Sequence, residues 1–195
     1  MRAVQPDFFA SEEVLEHARS LLGMELWAVG IHGLRRGIIT ETEAYAGIHD
    51  RGSHAFGGKI TKRNAVMYNP PGSIYMYLCY GMHWMLNIVT GPTAVPHAVL
   101  IRSLRILEPA GESSLLACGP GKLTRWLGLD GGFNGESMAS ARFGLLQHPG
   151  FKAEVVRSAR IGIAYAGADA TLPYRFYLAN EMAVSKPLQP FYPKN

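Results

Sequence analysis

The sequence predicts a single α+β domain, and three observations carry that prediction. Its 195 residues suit one well-buried core, and no repeat, low-complexity segment or flexible linker divides them. Several short runs alternate apolar and polar residues at the period of a strand, and two of these runs flank a three-residue glycine turn. Helical periodicity is confined to two segments. With 48% hydrophobic and only 17% charged residues the chain is a packed protein rather than a disordered one.

The elements follow in order. Ser11 is placed to N-cap a helix with Glu12 and Glu13 in its first turn and Val14, Leu15, Ala18, Leu21 and Leu22 on its apolar face; Gly23 stops it. Glu25 to Gly30 and Gly37 to Tyr45 read as strands, with Gly33, Arg35 and Arg36 in the turn between them. In the second of these, Glu41, Glu43 and Tyr45 share one face, because side chains two apart in a strand point the same way. Carboxylates are poor strand formers and rarely turn inward without a partner or a purpose. Residues 46 to 73 are rich in glycine and proline and form a long loop, the kind of segment that usually carries function. Ser73 to Cys79 and His83 to Thr90 then make a β-hairpin, with Tyr80, Gly81 and Met82 at its protruding tip. Ala98 to Leu107 is an apolar strand interrupted by Arg102, and residues 114 to 129 are helical with an interruption at Gly119, Pro120 and Gly121. Residues 155 to 164 and 174 to 179 are closing strands, while Asp130 to Gly150 has no clear period.

Charge narrows the partners. Residues 44 to 107 hold Arg51, Lys59, Lys62, Arg63, Arg102 and Arg105 against the single acid Asp50, more positive than the whole chain at +4. A localised basic window interleaved with aromatic rings is what a phosphate backbone attracts. The two cysteines, Cys79 and Cys118, lie far apart with no C-x-x-C partner, which argues against a disulfide framework or a structural zinc. No apolar run reaches spanning length and the N-terminus lacks signal-peptide character, so a cytoplasmic protein working beside the genome is expected. The sequence has neither the H-x-E with P-C-x-x-C of zinc deaminases nor a P-loop.

A glutamate on a rigid strand, facing a loop histidine and a tyrosine, has the chemistry of a general base that activates water. Structural readings of the same residues stand beside this one. Arg102 pairs with one of the two glutamates, His54 is an ordinary loop histidine, and the tyrosines spaced by two belong to the core.

Taken together and in order, ETEAY at 41 to 45, His54, KRN at 62 to 64, PPGSIYMYLCYGMHWMLN at 70 to 87, LIRSLRILEP at 100 to 109, GPGKL at 119 to 123, ARIGI at 159 to 163 and RFY at 175 to 177 resemble the alkyladenine (3-methylpurine) DNA glycosylase family. The resemblance runs from about residue 7 to about residue 185. It implies one curved antiparallel sheet with helices around it, spanning residues 1 to 195, and an enzyme without metal or other cofactor that acts as a monomer on double-stranded DNA containing damaged purines. It also implies roles. Glu43 is the base that deprotonates water, and Arg102 and the carbonyl of Ile161 hold that water. Tyr45 and His54 sandwich the flipped purine, Tyr77 closes the pocket, and Asn87 crowds the 2-amino group of guanine. Tyr80, with Met82 and Tyr75, meets the DNA, and Lys59, Lys62 and Arg63 contact phosphates. His83 stands where relatives carry tyrosine. Two other classes fit the same surface: a damaged-DNA-binding module without catalysis, and a glycosylase with lyase activity using Lys59 or Lys62 as the amine.

Overall fold

The computed structural model describes residues 1–185, so residues 186–195 of the expected domain lie outside the described residues. A nine-stranded sheet, antiparallel at every pairing, forms one layer. In chain order its strands and the two α-helices are β1 (Arg2–Ala3), α1 (Val14–Ser20), β2 (Glu25–Gly30), β3 (Gly33–Tyr45), β4 (Ile74–Cys79), β5 (His83–Thr90), β6 (His97–Glu108), α2 (Pro120–Leu127), β7 (Phe143–Gln147), β8 (Val155–Ser158) and β9 (Arg175–Leu178). The sheet order is β1-β7-β2-β3-β6-β5-β4, with β9 also on β3 and β8 on β9. Bulges interrupt the β3–β6 ladder around Arg36 and Glu41, and such extra residues bend a ribbon, giving the sheet its curvature. The core lies between sheet and helices, where Phe9, Leu21, Leu26, Ile39, Leu86 and Phe143 are fully buried. Among the described residues no helix is long and apolar enough to cross a membrane.

The hairpin β4–β5 forms with Tyr80, Gly81 and Met82 between its strands, as its alternation predicts. Three expectations are corrected. Ser11 does not cap α1; its hydroxyl bonds the His17 ring instead (3.0 Å), and Glu13 takes the cap position without capping. Gly23 does end this segment, with φ +82° and its N–H donating to the Ile39 carbonyl. Arg35 and Arg36 are not in a turn but inside β3, and the turn falls on Ile31 and His32. The reason is cross-strand pairing: Arg36 Nε donates to Glu25 (2.7 Å), and Arg35 pairs Glu112 (2.9 Å) while lying over the Trp126 ring. The strand expected over 155–164 stops at Ser158, because Arg160 and Ile161 turn away to partners on β3 and the loop after it. Within 130–150, where no period was visible, β7 pairs both β1 and β2.

An ionic cluster ties the centre of the sheet. Glu41 of β3 is fully buried; its Oε1 accepts from Arg102 Nε on β6 (2.9 Å), Arg175 Nε on β9 (2.7 Å) and the Ser185 hydroxyl (2.7 Å). Its Oε2 accepts from the Ser103 hydroxyl (2.8 Å) and the Ser185 N–H (2.7 Å). Burial pushes the Glu41 carboxyl up, but Arg102, Arg175 and Ser185 outweigh it and hold it below the usual carboxylate range. Glu41→Ala leaves two buried guanidinium groups without this partner, and we expect a stability loss of about 3–5 kcal/mol. Denaturant unfolding measures it, and a loss under about 1 kcal/mol would show that the cluster is not structural.

Candidate active site

Two residues beyond Glu41, Glu43 is also fully buried, but its surroundings differ. The strand period brings the Tyr45 hydroxyl alongside, where it donates to Glu43 Oε2 (2.8 Å). Arg102 Nη1 lies 3.2 Å from the same oxygen, so this one guanidinium pairs with both glutamates rather than with either. On the other side the Ile161 N–H donates to Oε1 (2.8 Å). The backbone of Ile161, whose carbonyl is expected to help hold the water, thus lies against Glu43. Burial opposes the charge of Arg102, yet Glu43 and Glu41 raise its pKa further above the ordinary value. Burial and the adjacent Glu43 charge raise the Tyr45 phenol well above its usual range, which keeps it a donor.

Tyr45, Arg102 and Ile161 line a cavity of about 770 Å³, and the Glu43 carboxylate sits behind that wall. His54, Tyr77 and Asn87 line it as well, so the structure brings the expected base-binding residues to one place. Burial and the charge of Arg63 lower the His54 pKa to about 4, so the ring is neutral at physiological pH. Tyr77 meets His54 edge-on, with ring centres 4.5 Å apart. Asn87 is anchored through Nδ2, which donates to the Tyr75 carbonyl (3.0 Å). Tyr75 itself is a correction. Expected against DNA, it is 1% exposed, and its hydroxyl shares a 2.9 Å hydrogen bond with His54 Nδ1. It lines the same cavity and braces the His54 ring there. Asn64 holds the same loop by donating to the carbonyls of His54 and Lys59.

At the hairpin tip Tyr80 is 86% exposed with φ +50°, and Met82 is 69% exposed. Tyr80 borders the cavity while its ring stands clear in solvent. Lys59 and Lys62 are exposed on the adjoining loop. Arg63 is exposed too, but it lines the cavity, with its guanidinium over the Tyr77 ring at 5.1 Å.

One pair escaped the sequence reading. Asp50 and Arg160 form a buried two-pronged ion pair (2.5 and 2.8 Å). Asp50 also accepts from the N–H groups of Ala46 and Gly52, while Arg160 donates to the Ala44 carbonyl and lies over the Tyr45 ring at 4.9 Å. Burial works against both charges, but their mutual hydrogen bond and attraction lower the Asp50 carboxyl and raise the Arg160 guanidinium. This clamp sets the start of the loop, the tilt of Tyr45 and the position of Ile161. The available signal was Asp50 itself, a lone acid in a basic, glycine-rich window. Among the described residues no group of three or more His, Cys, Asp or Glu is placed to hold a metal ion.

A family model described as methylpurine-DNA glycosylase matches residues 7–182. A protein of Chlamydia pneumoniae is 38% identical over 191 residues, covering 91% of this chain and 96% of the relative. One from Borreliella burgdorferi (strain ZS7) is 44% identical over 151 residues, 76% of this chain and 81% of its own. A third, from Bacillus cytotoxicus, is 35% identical over 207 residues, 95% of this chain and all of the relative. All three are provisionally named 3-methyladenine DNA glycosylases. An antiparallel sheet carrying Glu43 behind a ring-lined cavity, matched by that family over residues 7–182, places this chain in the methylpurine-DNA glycosylase family, as a DNA glycosylase of base excision repair.

Proposed function

We propose that the protein is a monofunctional, monomeric glycosylase that flips alkylated or deaminated purines, among them 3-methyladenine, 7-methylguanine, hypoxanthine and ethenoadenine, out of duplex DNA and hydrolyses their N-glycosidic bond. The observation that carries this reading is the Glu43 carboxylate, fixed by Tyr45, Arg102 and Ile161 directly behind a cavity walled by aromatic rings. Glu41 has the same side chain but the opposite setting, with five donors filling both its oxygens. Glu43 Oε1, which accepts only the Ile161 N–H among the described residues, keeps a lone pair for water.

In the proposed reaction the flipped purine stacks between Tyr45 and His54, with Tyr77 at its edge and Asn87 crowding the 2-amino group of normal guanine. Water held by Arg102 and the Ile161 backbone gives a proton to Glu43 as its oxygen bonds to C1′. The bond from C1′ to the purine nitrogen breaks and its electron pair leaves with the base. A cationic methylated purine departs neutral, whereas a neutral purine needs a proton to leave. Extruding the base costs a few kcal/mol, least for damaged pairs, and Tyr80 filling the vacated gap offsets part of that cost. Met82 beside it and Lys59 and Lys62 on the loop meet the duplex. Neither Lys59 nor Lys62 lines the cavity, which favours hydrolysis over lyase chemistry through an amine.

Three outcomes are expected. Glu43→Gln retains lesion binding but releases hypoxanthine at least about 100-fold more slowly in single-turnover assays; near-normal release removes Glu43 from the chemistry. Tyr80→Ala weakens binding to a lesion-containing duplex about tenfold, and unchanged affinity and rate rule out the wedge. The third concerns pH. Because the folded His54 titrates near 4 against the ordinary 6.5, the unfolded chain takes up a proton first as the pH drops. The stability that neutral His54 contributes is therefore full above about pH 6.5 and is lost as the pH falls toward about 4. His54→Gln should flatten part of that decline in denaturant midpoints; an identical slope in both proteins contradicts it.

A further inference from the structure

Two tyrosine walls of the cavity already carry a protein cation on one face. Arg160 lies over Tyr45 at 4.9 Å and Arg63 over Tyr77 at 5.1 Å. Their circumstances differ. Arg160 is neutralised by Asp50, and Arg102 in the cavity wall is paired with Glu41 and Glu43. Arg63 lines the cavity with no carboxylate within ion-pairing distance among the described residues. Its charge reaches the pocket interior, helping burial to hold His54 neutral.

A ring whose quadrupole is already engaged by a guanidinium has less attraction left for a second cation, and two like charges in a partly dry cavity repel. A guanidinium also offers only donors, so it suits a base edge that presents acceptors. We infer that Arg63 is a specificity residue of the base pocket, favouring neutral purines with an acceptor-bearing edge, such as hypoxanthine, over cationic N-methylated purines. The inference rests on the cavity being the seat of the flipped purine, and it gives Arg63 a task distinct from a sequence-independent phosphate contact.

The test compares the wild type, Arg63→Gln and Arg63→Lys in single-turnover release from duplexes carrying one hypoxanthine or one 7-methylguanine, alongside the salt dependence of binding to undamaged duplex. Arg63 is exposed, so these substitutions leave the core intact. Arg63→Gln should shift the ratio of 7-methylguanine to hypoxanthine release upward by about 3- to 30-fold, the span of a cation–π contact. Arg63→Lys, which keeps the charge, should hold the wild-type preference, and the salt slope should not change in either variant. If Arg63→Gln slows both substrates equally and lowers the salt slope by about one, Arg63 is a phosphate contact and the inference is overturned. If the wild type releases neither base, the reading of the cavity itself fails and the inference falls with it.

Discussion

A single guanidinium shared by two glutamates holds the centre of this protein together. Arg102 is buried on β6 and reaches Glu41 with Nε and Glu43 with Nη1. Alone, one cation between two buried carboxylates leaves an excess negative charge, which a low-dielectric interior does not tolerate. Arg175 from β9 supplies a second cation, so among the described residues two acids face two bases. Because its members come from β3, β6 and β9, the same charges that balance one another also fix those strands in register. The bulges that bend β3 against β6 fall beside Glu41, so curvature and charge pairing are solved at one place.

This arrangement divides the labour between two identical side chains. Glu41 is bound from every side by protein donors and serves as an anchor. Glu43 is bound just enough to be immobile: one phenol, one edge of Arg102 and one amide. Each of those three donors belongs to the cavity wall, so the carboxylate faces the reaction space through groups that are themselves rigid. Rigidity here is built in layers. Tyr45 rests against Arg160, Arg160 on Asp50, and Asp50 on the loop amides of Ala46 and Gly52. A side chain positioned this way needs little reorganisation when charge moves, the economy that preorganised sites exploit.

What was legible in the sequence was what is local. The hairpin showed itself through alternation and a glycine turn, and the shared face of Glu43 and Tyr45 followed from the strand period alone. The helix cap differs from the local pattern because the Ser11 hydroxyl bonds the His17 ring, six residues on, in place of the backbone. Arg35 and Arg36 extend the strand because Glu112, in the loop after β6, and Glu25, across the hairpin on β2, pair with them once the chain has folded. The difference between Glu41 and Glu43 was hidden for the same reason: Arg175 is 134 residues from Glu41 and Ser185 is 144. Asp50 and Arg160 are 110 apart, and nothing near either one announces the other. The family resemblance named the candidate site residues, but not the burial of Tyr75 or the stacking of Arg63.

The hairpin joins two halves of the proposed action. Tyr77 belongs to the cavity and Tyr80 to the tip, three residues apart on one ribbon, or about 10 Å along an extended strand. Tyr75, two residues before Tyr77, is locked inside against His54, so the ribbon's base cannot slide without disturbing the ring that would stack on the purine. The tip has no such anchor, as Tyr80 and Met82 project into solvent. In the proposed action, a wedge entering the base stack would bring the displaced nucleotide beside a pocket whose walls are braced in advance. Insertion and capture would then be linked through one hairpin, β4 and β5, rather than through separate elements.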